Sequence, residues 1–385
     1  MFGGELATIM TTSSEKPTGD IAALTSLRFI AAFYVFLFHI QIRVPITEIS
    51  FLKLFLEEGA VGMAIFFMLS GFILAHRYSG RSFSDREYVV ARFARIYPTY
   101  ALSAILALPM LYFQIGELRF GTASLIAQIV VIVVSAVAMV QAWIPMMFTY
   151  INNNANWSLS VEAFFYLSFV LIIGRIEKFS DRGLLFFLGS VYAFSLLGPL
   201  AYYAFEDRPE MGLQIFYAMP IFRLPEFLAG IAVYLISRRM PRMRAWGSGK
   251  VAFMLLVFSI VYLGTVAQFL PIFVGHNWIM IPLISSWLIC LSGDLGAGRK
   301  VAENPVLVYL GKTSYCFYLF QFHVLVILGF LLPTKEMGGF YYLLVALPTL
   351  ILVASFFHHS VEIPMQKYLR RRLTKDRVAY KESYL

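Results

Sequence analysis

The sequence predicts an all-α, polytopic integral membrane protein with about ten transmembrane helices and both termini in the cytoplasm. Composition and the spacing of apolar stretches predict the class, and the placement of basic residues predicts the orientation. Of the 385 residues, 59% are hydrophobic and 14% are charged, whereas soluble domains carry about 25% charged residues. The mean hydropathy is +0.74. This balance excludes an ordinary soluble enzyme, a disordered protein and a nucleic-acid-binding domain, so we expect no nucleic-acid partner despite the net charge of +9.

Apolar stretches recur from Leu24 onward, each close to the roughly 20 residues that span a bilayer. Eleven stretches qualify: 24–42, 59–76, 96–113, 123–142, 158–174, 184–205, 214–236, 251–270, 274–291, 306–332 and 340–359. Residues 1–20 are small and polar and lack the early apolar core of a signal peptide, so we expect a disordered cytoplasmic tail. Residues 21–365 then form the transmembrane domain, and 366–385 form a basic cytoplasmic tail.

Basic residues cluster in particular connecting segments, and an excess of lysine and arginine marks the cytoplasmic side of a membrane protein. The clusters lie in segments 77–95, 238–250 and 367–377, with weaker groups in 175–182 and 299–300. With both termini inside as well, the number of crossings must be even. Three candidates lie between residues 96 and 174, so we expect one of them to be short, re-entrant or on the surface. Positive-inside topology and contact with anionic lipids explain most of the net charge.

The usual soluble cofactor and metal motifs are missing from the sequence. Cys290 and Cys316 lie in apolar runs without CxxC spacing, so we expect no disulfide framework and no zinc site. The GKTS at 311–314 lacks the glycine that a phosphate loop needs at position 306, which is Val306. We therefore expect no metal cofactor.

Ionisable residues inside apolar segments are costly and mark functional sites by default. They are Arg28, His39, Glu162, Arg223, Glu226, His323, His358, His359 and Glu362. Arg28 and His39 are eleven residues apart, which places them on one helix face with about 16 Å between them along the axis. The stripe would join a cationic cytoplasmic end to a proton-transfer group deeper in the membrane. The alternative is an arginine that reaches lipid phosphate and a histidine that bonds to another helix.

Arg92 and Arg95 precede the third stretch with i,i+3 spacing, so both lie on one helix face. Two adjacent guanidiniums suit phosphate oxygens, although topology alone would also explain them. We expect Pro98 near a break between a surface helix and the span.

Three further groups are candidates for substrate binding. In NWSLSVEAFFYL, Trp157 suits an interface, Ser158 and Glu162 are one turn apart, and Trp157 and Ser160 are further binding candidates. Glu162 could orient a histidine or bind a hydroxylated substrate, or form a structural hydrogen bond between helices. Arg223 and Glu226 are three residues apart and could be a simple intramembrane ion pair. Ser70 could present its hydroxyl to a site, or belong to a small-residue packing surface with Gly71. We expect His358 and His359, at the end of the last stretch, to lie at the membrane interface.

Seven motifs in order resemble acyltransferase family 3, the integral-membrane O-acyltransferases, over about residues 22–366. They are Arg28-x10-His39, GMAIFFMLSGFILA at 62–75, RFARIYPTY at 92–100, NWSLSVEAFFYL at 156–167, FRLPEFLAG at 222–230, LGKTSYCFYLF at 310–320 and Glu362-x-Pro364. The family commonly has a histidine just after the Tyr-Leu of SYxxYL, where this chain has Gln321 and then His323, so no role is assigned to His323. Family members have about ten spans with both ends cytoplasmic. Some carry an additional SGNH-hydrolase-like domain, which we do not expect in the short stretch after Glu362.

The resemblance implies a membrane enzyme that moves an acyl group, most often acetyl, from cytoplasmic acyl-CoA to a hydroxyl of a saccharide or related acceptor. Acyl-CoA is then a co-substrate. Arg92 and Arg95, with Arg28, would hold its phosphates, and its pantetheine arm would extend along the first helix. His39 is the candidate general base or covalent acyl carrier, and Glu162 would orient it or the acceptor.

The sequence leaves several points open. The acceptor could be an exopolysaccharide, an O-antigen, a Nod-factor-like or other lipid-linked saccharide, or a macrolide-type compound. Homo-oligomer formation is undetermined, and the expected location is the bacterial inner membrane, in contact with lipid.

Two other classes of protein remain as alternatives. A proton-coupled transporter or flippase would also place His, Glu and Arg in the bilayer, but we see no internal repeat. A scaffold without chemistry would not explain the shared face of Arg28 and His39.

Overall fold

A computed structural model describes residues 21–114, 125–147, 156–202, 209–240, 242–243 and 248–374. Within these ranges the chain is almost entirely helical and contains no β-strand, which confirms the all-α class. The predicted tail 1–20 lies outside the described residues. The basic tail predicted from residue 366 begins inside a helix that ends at Leu373, and its last eleven residues are also outside the described part.

Eighteen α-helices are described, and their order follows the predicted apolar stretches. They are α1 Ala22–Gln41, α2 Ser50–Glu57, α3 Gly62–Tyr78, α4 Asp85–Leu106, α5 Leu108–Gln114, α6 Leu125–Val137, α7 Asn156–Ile176, α8 Asp181–Phe194, α9 Leu197–Tyr202, α10 Pro209–Phe216, α11 Pro220–Arg239, α12 Gly249–Thr265, α13 Met280–Ser292, α14 Arg299–Ala302, α15 Pro305–Leu331, α16 Thr334–Met337, α17 Gly339–Phe357 and α18 Ile363–Leu373. Two π-helical segments, Phe273–Trp278 and His358–Glu362, precede α13 and α18.

Eight described helical segments are long and apolar enough to cross a membrane. They are Ala22–Gln41, Ser50–Tyr78, Asn156–Ile176, Asp181–Tyr202, Gln214–Arg239, Phe273–Ser292, Pro305–Leu331 and Gly339–Leu373. Two further apolar helices, Leu125–Val137 and Gly249–Thr265, are shorter. A multi-pass integral membrane protein is therefore confirmed, while the count of ten crossings and the cytoplasmic termini stay predictions.

The stretch predicted at 96–113 is not a separate helix. Helix α4 starts at Asp85 and continues without interruption through Pro98 to Leu106, after which α5 begins at Leu108. The expected break at Pro98 is therefore wrong. An interior proline removes one backbone hydrogen bond, and the helix can bend there instead of ending. Tyr315 of α15 donates to the carbonyl oxygen of Ile96 at 2.7 Å and so holds the preceding turn of α4 in place.

Small residues let the central helices approach closely. A Cβ atom on Gly71 of α3 would lie 2.0 Å from the carbonyl oxygen of Phe227 in α11, and one on Gly230 would lie 2.0 Å from that of Met68. Gly311 of α15 is equally close to the carbonyl oxygen of Thr25 in α1. Backbone contact at glycine is a common way for helices to pack in lipid. These contacts hold α1, α3, α11 and α15 together in the core.

Candidate active site

A cavity is enclosed by five helices of this core, α1, α3, α4, α7 and α15. Its polar lining residues are Arg28, Ser70, Arg92, Arg95, Ser158, Glu162, Tyr166, Ser314, Tyr315 and Tyr318. Three arginines against one glutamate give the lining a net charge of +2. An anionic group is therefore the ligand that this cavity would attract.

The structure brings five of the sequence-predicted site residues into this one cavity: Arg28, Ser70, Arg92, Arg95 and Glu162. Arg92 and Arg95 lie on the same face of α4, as their spacing predicts. The predicted packing role of the small residues in α3 is also present, because Gly71 contacts α11 while the adjacent Ser70 lines the cavity.

Arg92 lies among aromatic rings. Its guanidinium carbon is 5.8 Å from the ring centroids of Tyr78 and Tyr166 and 5.9 Å from that of Tyr88. Burial raises the pKa of the Tyr88 phenol well above its usual value, so this ring stays neutral beside the cation. The Nε atom of Arg92 is buried without a hydrogen-bond partner among the described residues. A cation held mainly by ring faces keeps its hydrogen-bonding capacity for a ligand.

Hydroxyl groups and a carboxylate of α7 and α15 also line the cavity. Glu162 accepts a hydrogen bond from the Tyr166 hydroxyl one helical turn away. The hydroxyls of Ser158 and Tyr318 lie 2.9 Å apart and join α7 to α15. The cavity therefore combines guanidinium cations with groups that can accept or donate a proton.

His39 does not line the cavity. It lies half-buried near the end of α1, where its Nδ1 is 3.1 Å from Nη1 of Arg43. Helix α3 connects the cavity lining to the neighbouring part of α1. Met63 lines the cavity, and a Cβ atom on the adjacent Gly62 would touch Val35 and Ala31 of α1. Val35 precedes His39 by one turn, about 6 Å along the helix axis.

Four other predicted site residues lie behind the cavity wall. Trp157 is buried, with its ring 6.0 Å from Phe67 and 5.2 Å from Tyr217. The hydroxyl of Ser160 accepts from the backbone N–H of Ala142 at 3.3 Å, which is a structural bond. Neither side chain lines the cavity, although Phe67 does.

Arg223 and Glu226 form the simple intramembrane ion pair that was one of the two sequence interpretations. Arg223 Nε is 3.1 Å from Glu226 Oε2, and each side chain is 1% exposed. The guanidinium also lies 5.0 Å from the ring centroids of Phe67 and Tyr217. The pair thus supports the cavity wall at Phe67 without lining it.

Sequence reasoning missed the tyrosines of the cavity and the surroundings of Glu362. Tyr315 and Tyr318 fall within LGKTSYCFYLF, so that motif was the available signal.

His358 was expected at the membrane interface, but it is buried with Nδ1 2.7 Å from Glu362 Oε2. His359, its neighbour, is exposed and lies 3.2 Å from the Tyr309 hydroxyl. A π-helix changes which side chains face inward, and hydropathy does not reveal it.

The comparison with known families decides the class. A family model described as an acyltransferase domain matches residues 21–358. The chain belongs to this acyltransferase family. Acyltransferase MdmB of Streptomyces mycarofaciens is 28% identical over 91% of this chain and 93% of that protein.

Two further proteins similar to this chain come from Staphylococcus aureus, strains COL and MSSA476, and are provisionally named O-acetyltransferases. Each is 22% identical, over 90% and 89% of this chain respectively. The chain spans 57% of the length of each of these two. No solved structure shows significant similarity to the chain.

Proposed function

We propose that this membrane acyltransferase takes its acyl group, most commonly acetyl, from cytoplasmic acyl-CoA and forms an ester with a hydroxyl of a saccharide or related acceptor at or across the membrane. The observation that carries the proposal is the convergence of Arg28, Arg92 and Arg95 in one cavity with Glu162 and several hydroxyls. A nucleotide bearing several phosphates is the donor class that three adjacent guanidiniums fit. The chain's family favours this enzyme over the transporter alternative.

Arg92 and Arg95 bind the phosphates of the donor, and Arg28 adds a third positive charge from α1. The pantetheine arm then runs past Ser70 and Phe66 toward Met63, which line the same cavity. This route ends about one turn from His39, as the contact of Gly62 with Val35 indicates. The apolar end of the cavity excludes water from the thioester, which limits hydrolysis.

The acceptor hydroxyl oxygen attacks the thioester carbonyl carbon, forming the new C–O bond while the C–S bond breaks. In the direct mechanism, His39 takes the proton of the hydroxyl and returns it to the departing CoA sulfur, so its charge is restored after each cycle. In the covalent mechanism, a ring nitrogen of His39 attacks the thioester carbonyl carbon and the CoA thiolate leaves. The acceptor hydroxyl oxygen then attacks the acyl carbon, the C–N bond breaks, and the proton of the hydroxyl neutralises the CoA thiolate. Glu162 orients the reacting groups from the α7 wall.

Isotope labelling separates the two roles of His39. Labelled acetyl-CoA is incubated with the protein without any acceptor, and the protein is then freed of unbound donor. Acetyl label that stays on the wild type and is lost in His39→Ala assigns the covalent role. Absence of label from a preparation that transfers acetyl groups assigns the general-base role.

Thermal stabilisation by acetyl-CoA tests the donor site without knowledge of the acceptor. A ligand that binds only the folded state raises the apparent stability as its concentration rises. We expect a saturable increase in the melting temperature of the wild type in detergent and its loss in Arg92→Ala/Arg95→Ala. The matched control is Arg371→Ala/Arg372→Ala, which removes two exposed arginines of α18 that do not line the cavity. No increase in a folded wild-type sample would favour the transporter alternative or another donor.

A further inference from the structure

Glu362 is a buried carboxylate that the proposed reaction does not yet use. It ends the π-helix between α17 and α18, and its side chain is 2% exposed. A carboxylate at such a position is costly unless charged or hydrogen-bonding partners compensate it. Its partners are Cys316 of α15, His358 of its own π-helix and Arg95 of α4.

The two oxygens of Glu362 have different partners. Oε2 accepts from Cys316 Sγ at 3.3 Å and lies 2.7 Å from His358 Nδ1. Because a carboxylate has no proton to give, Nδ1 of His358 must carry the hydrogen. Oε1 lies 3.9 Å from Arg95 Nη1, which is an ion-pair distance and too long for a hydrogen bond. One oxygen is thus fixed by two donors, and the other attracts the arginine.

The elements around this cluster are held rigidly. Phe357, next to His358, stacks on Phe320 of α15 with ring centroids 4.1 Å apart. Tyr315, next to Cys316, donates to the carbonyl oxygen of Ile96, the residue that follows Arg95. Helix α18 packs along α4. The backbone on both sides of the ion pair is therefore held in place, so Arg95 and Glu362 face each other from helices that are packed together.

Arg95 connects the cluster to the cavity. Its side chain is 30% exposed and lines the cavity, whereas Glu362 lies behind the wall. The long ion pair attracts the guanidinium from behind without saturating it, because Arg95 offers five N–H donors in a planar fork. An arginine held in this way loses less conformational entropy when it binds a phosphate.

We propose that His358 is a positioning residue: together with Cys316 it fixes the Glu362 carboxylate, which holds Arg95 in the orientation that binds the phosphates of the acyl donor. This inference rests on the proposed acyl-CoA donor. The competing explanation is a metal site, since the ligand atoms of Cys316, His358 and Glu362 lie within 4.8 Å of one another. Against a metal, Arg95 already lies at ion-pair distance from Glu362 and faces this carboxylate with a positive charge.

The test compares donor affinity among variants in detergent, measured as the concentration of acetyl-CoA that gives half-maximal thermal stabilisation. His358→Leu removes the donor to Glu362, and Glu362→Gln removes the charge that attracts Arg95. We expect each to weaken acetyl-CoA binding by about tenfold, the size of one charge-assisted hydrogen bond. His358→Asn is the conservative variant, because its amide nitrogen can take the place of Nδ1, and we expect its affinity to stay within about twofold of the wild type.

Two controls separate positioning from general damage. His359→Leu changes the adjacent exposed histidine and should leave donor affinity unchanged. In an Arg95→Ala background, His358→Leu should cause no further loss, because the residue that it positions is gone. The melting temperature without ligand shows whether each variant is folded, and Glu362→Gln, which is also expected to lose affinity, tests the inference where His358→Leu does not fold.

Several results would overturn the inference. Equal affinities of folded His358→Leu and His359→Leu, or a full additional loss from His358→Leu in the Arg95→Ala background, would contradict the positioning role while leaving the donor proposal intact. One equivalent of metal that copurifies with the wild type and is lost in Cys316→Ser would assign the cluster to metal binding. A folded wild type without acetyl-CoA binding would overturn the donor proposal and the positioning role together.

Discussion

Arg43 is hydrogen-bonded to the ring of His39. Its Nη1 lies 3.1 Å from His39 Nδ1 and also donates to the His39 carbonyl oxygen at 2.9 Å. A guanidinium has no lone pair to accept with, so Nδ1 is the acceptor and the neutral ring carries its proton on Nε2. The Arg43 guanidinium also lies 5.3 Å from the ring centroid of Phe322, which fixes its direction. His39 can therefore act as a base only after Arg43 releases Nδ1, and we expect the arriving acceptor to cause that release.

Replacement of His39 by alanine should abolish acyl transfer without loss of donor binding. The reaction would lose its proton-transfer group, which contributes about 100-fold to 10,000-fold to a rate. The arginine end of the cavity lies about 16 Å away along α1, so its affinity for acetyl-CoA should not change. The measurements are product formation and thermal stabilisation on the same preparation, with His359→Ala as the control. Full transfer by His39→Ala would contradict a catalytic role.

Glu162→Gln should lower the rate of acyl transfer without weakening donor binding. The substitution keeps the shape and the acceptor for the Tyr166 hydroxyl but removes the single negative charge of the lining. Loss of that charge increases the attraction for an anionic donor, so acetyl-CoA should bind at least as tightly as before. Transfer should fall by about 100-fold if the carboxylate orients the reacting groups.

Tyr166→Phe is the control for Glu162→Gln, because it removes the hydrogen bond but leaves the charge. We expect a smaller decrease in the rate of acyl transfer than for Glu162→Gln. Weaker acetyl-CoA binding by Glu162→Gln, with unchanged transfer at saturating donor, would place this carboxylate in donor recognition instead. The comparison requires initial rates over a range of acetyl-CoA concentrations.

The sequence predicts those features of the fold and the site that depend on a short segment of the chain. Helix positions follow largely from the length of apolar runs. Arg28 and Glu162 were predicted as site residues because ionisable groups in such runs must face protein or water. Arg92 and Arg95 were predicted from their i,i+3 spacing as two adjacent guanidiniums. Their convergence in one cavity depends on how the helices pack, which a single helix does not encode. The glycine contacts between α3 and α11 were visible only as a small-residue pattern.

The sequence was uninformative where the backbone departs from regular geometry or where two explanations share one pattern. The π-helix at 358–362 places His358 against Glu362, although hydropathy alone indicates an interfacial histidine. Ser160 fits a substrate-binding hydroxyl and a helix-packing hydroxyl equally well, and its bond to Ala142 appears only in the structure. Side-chain direction in a wholly apolar helix cannot be read from periodicity, because every face is hydrophobic.

Gly71→Ala should destabilise the protein by disturbing the contact between α3 and α11. The added Cβ would lie 2.0 Å from the Phe227 carbonyl oxygen, so the two backbones must separate, and overpacking of this kind costs about 1–3 kcal/mol. The control is Gly174→Ala on the exposed face of α7, where nothing lies within 4 Å of the new atom. We expect the control to be neutral or slightly stabilising. Melting temperatures in detergent provide the comparison, and equal values for the two variants would contradict the close packing.

Arg223 and Glu226 allow a structural ion pair to be distinguished from a substrate-binding pair. Both side chains are 1% exposed, so removing one partner leaves an uncompensated charge and should cost about 3–5 kcal/mol. Arg223→Met and Glu226→Leu made singly should therefore lower the melting temperature strongly. The double variant buries no charge, and apolar residues of similar volume often restore or even raise stability at such positions.

Acyl transfer by that double variant decides the role of the pair. Arg223 contacts the ring of Phe67, which lines the cavity, while neither charged side chain does. We therefore expect the folded double variant to keep most of its transfer activity and its acetyl-CoA affinity, because methionine can still pack on Phe67 and support the wall. Loss of transfer in a double variant as stable as the wild type would show that the charges themselves contribute to the reaction. In that case, weaker acetyl-CoA binding would place the pair in donor binding, and unchanged binding would indicate a role in acceptor recognition or in the chemical step.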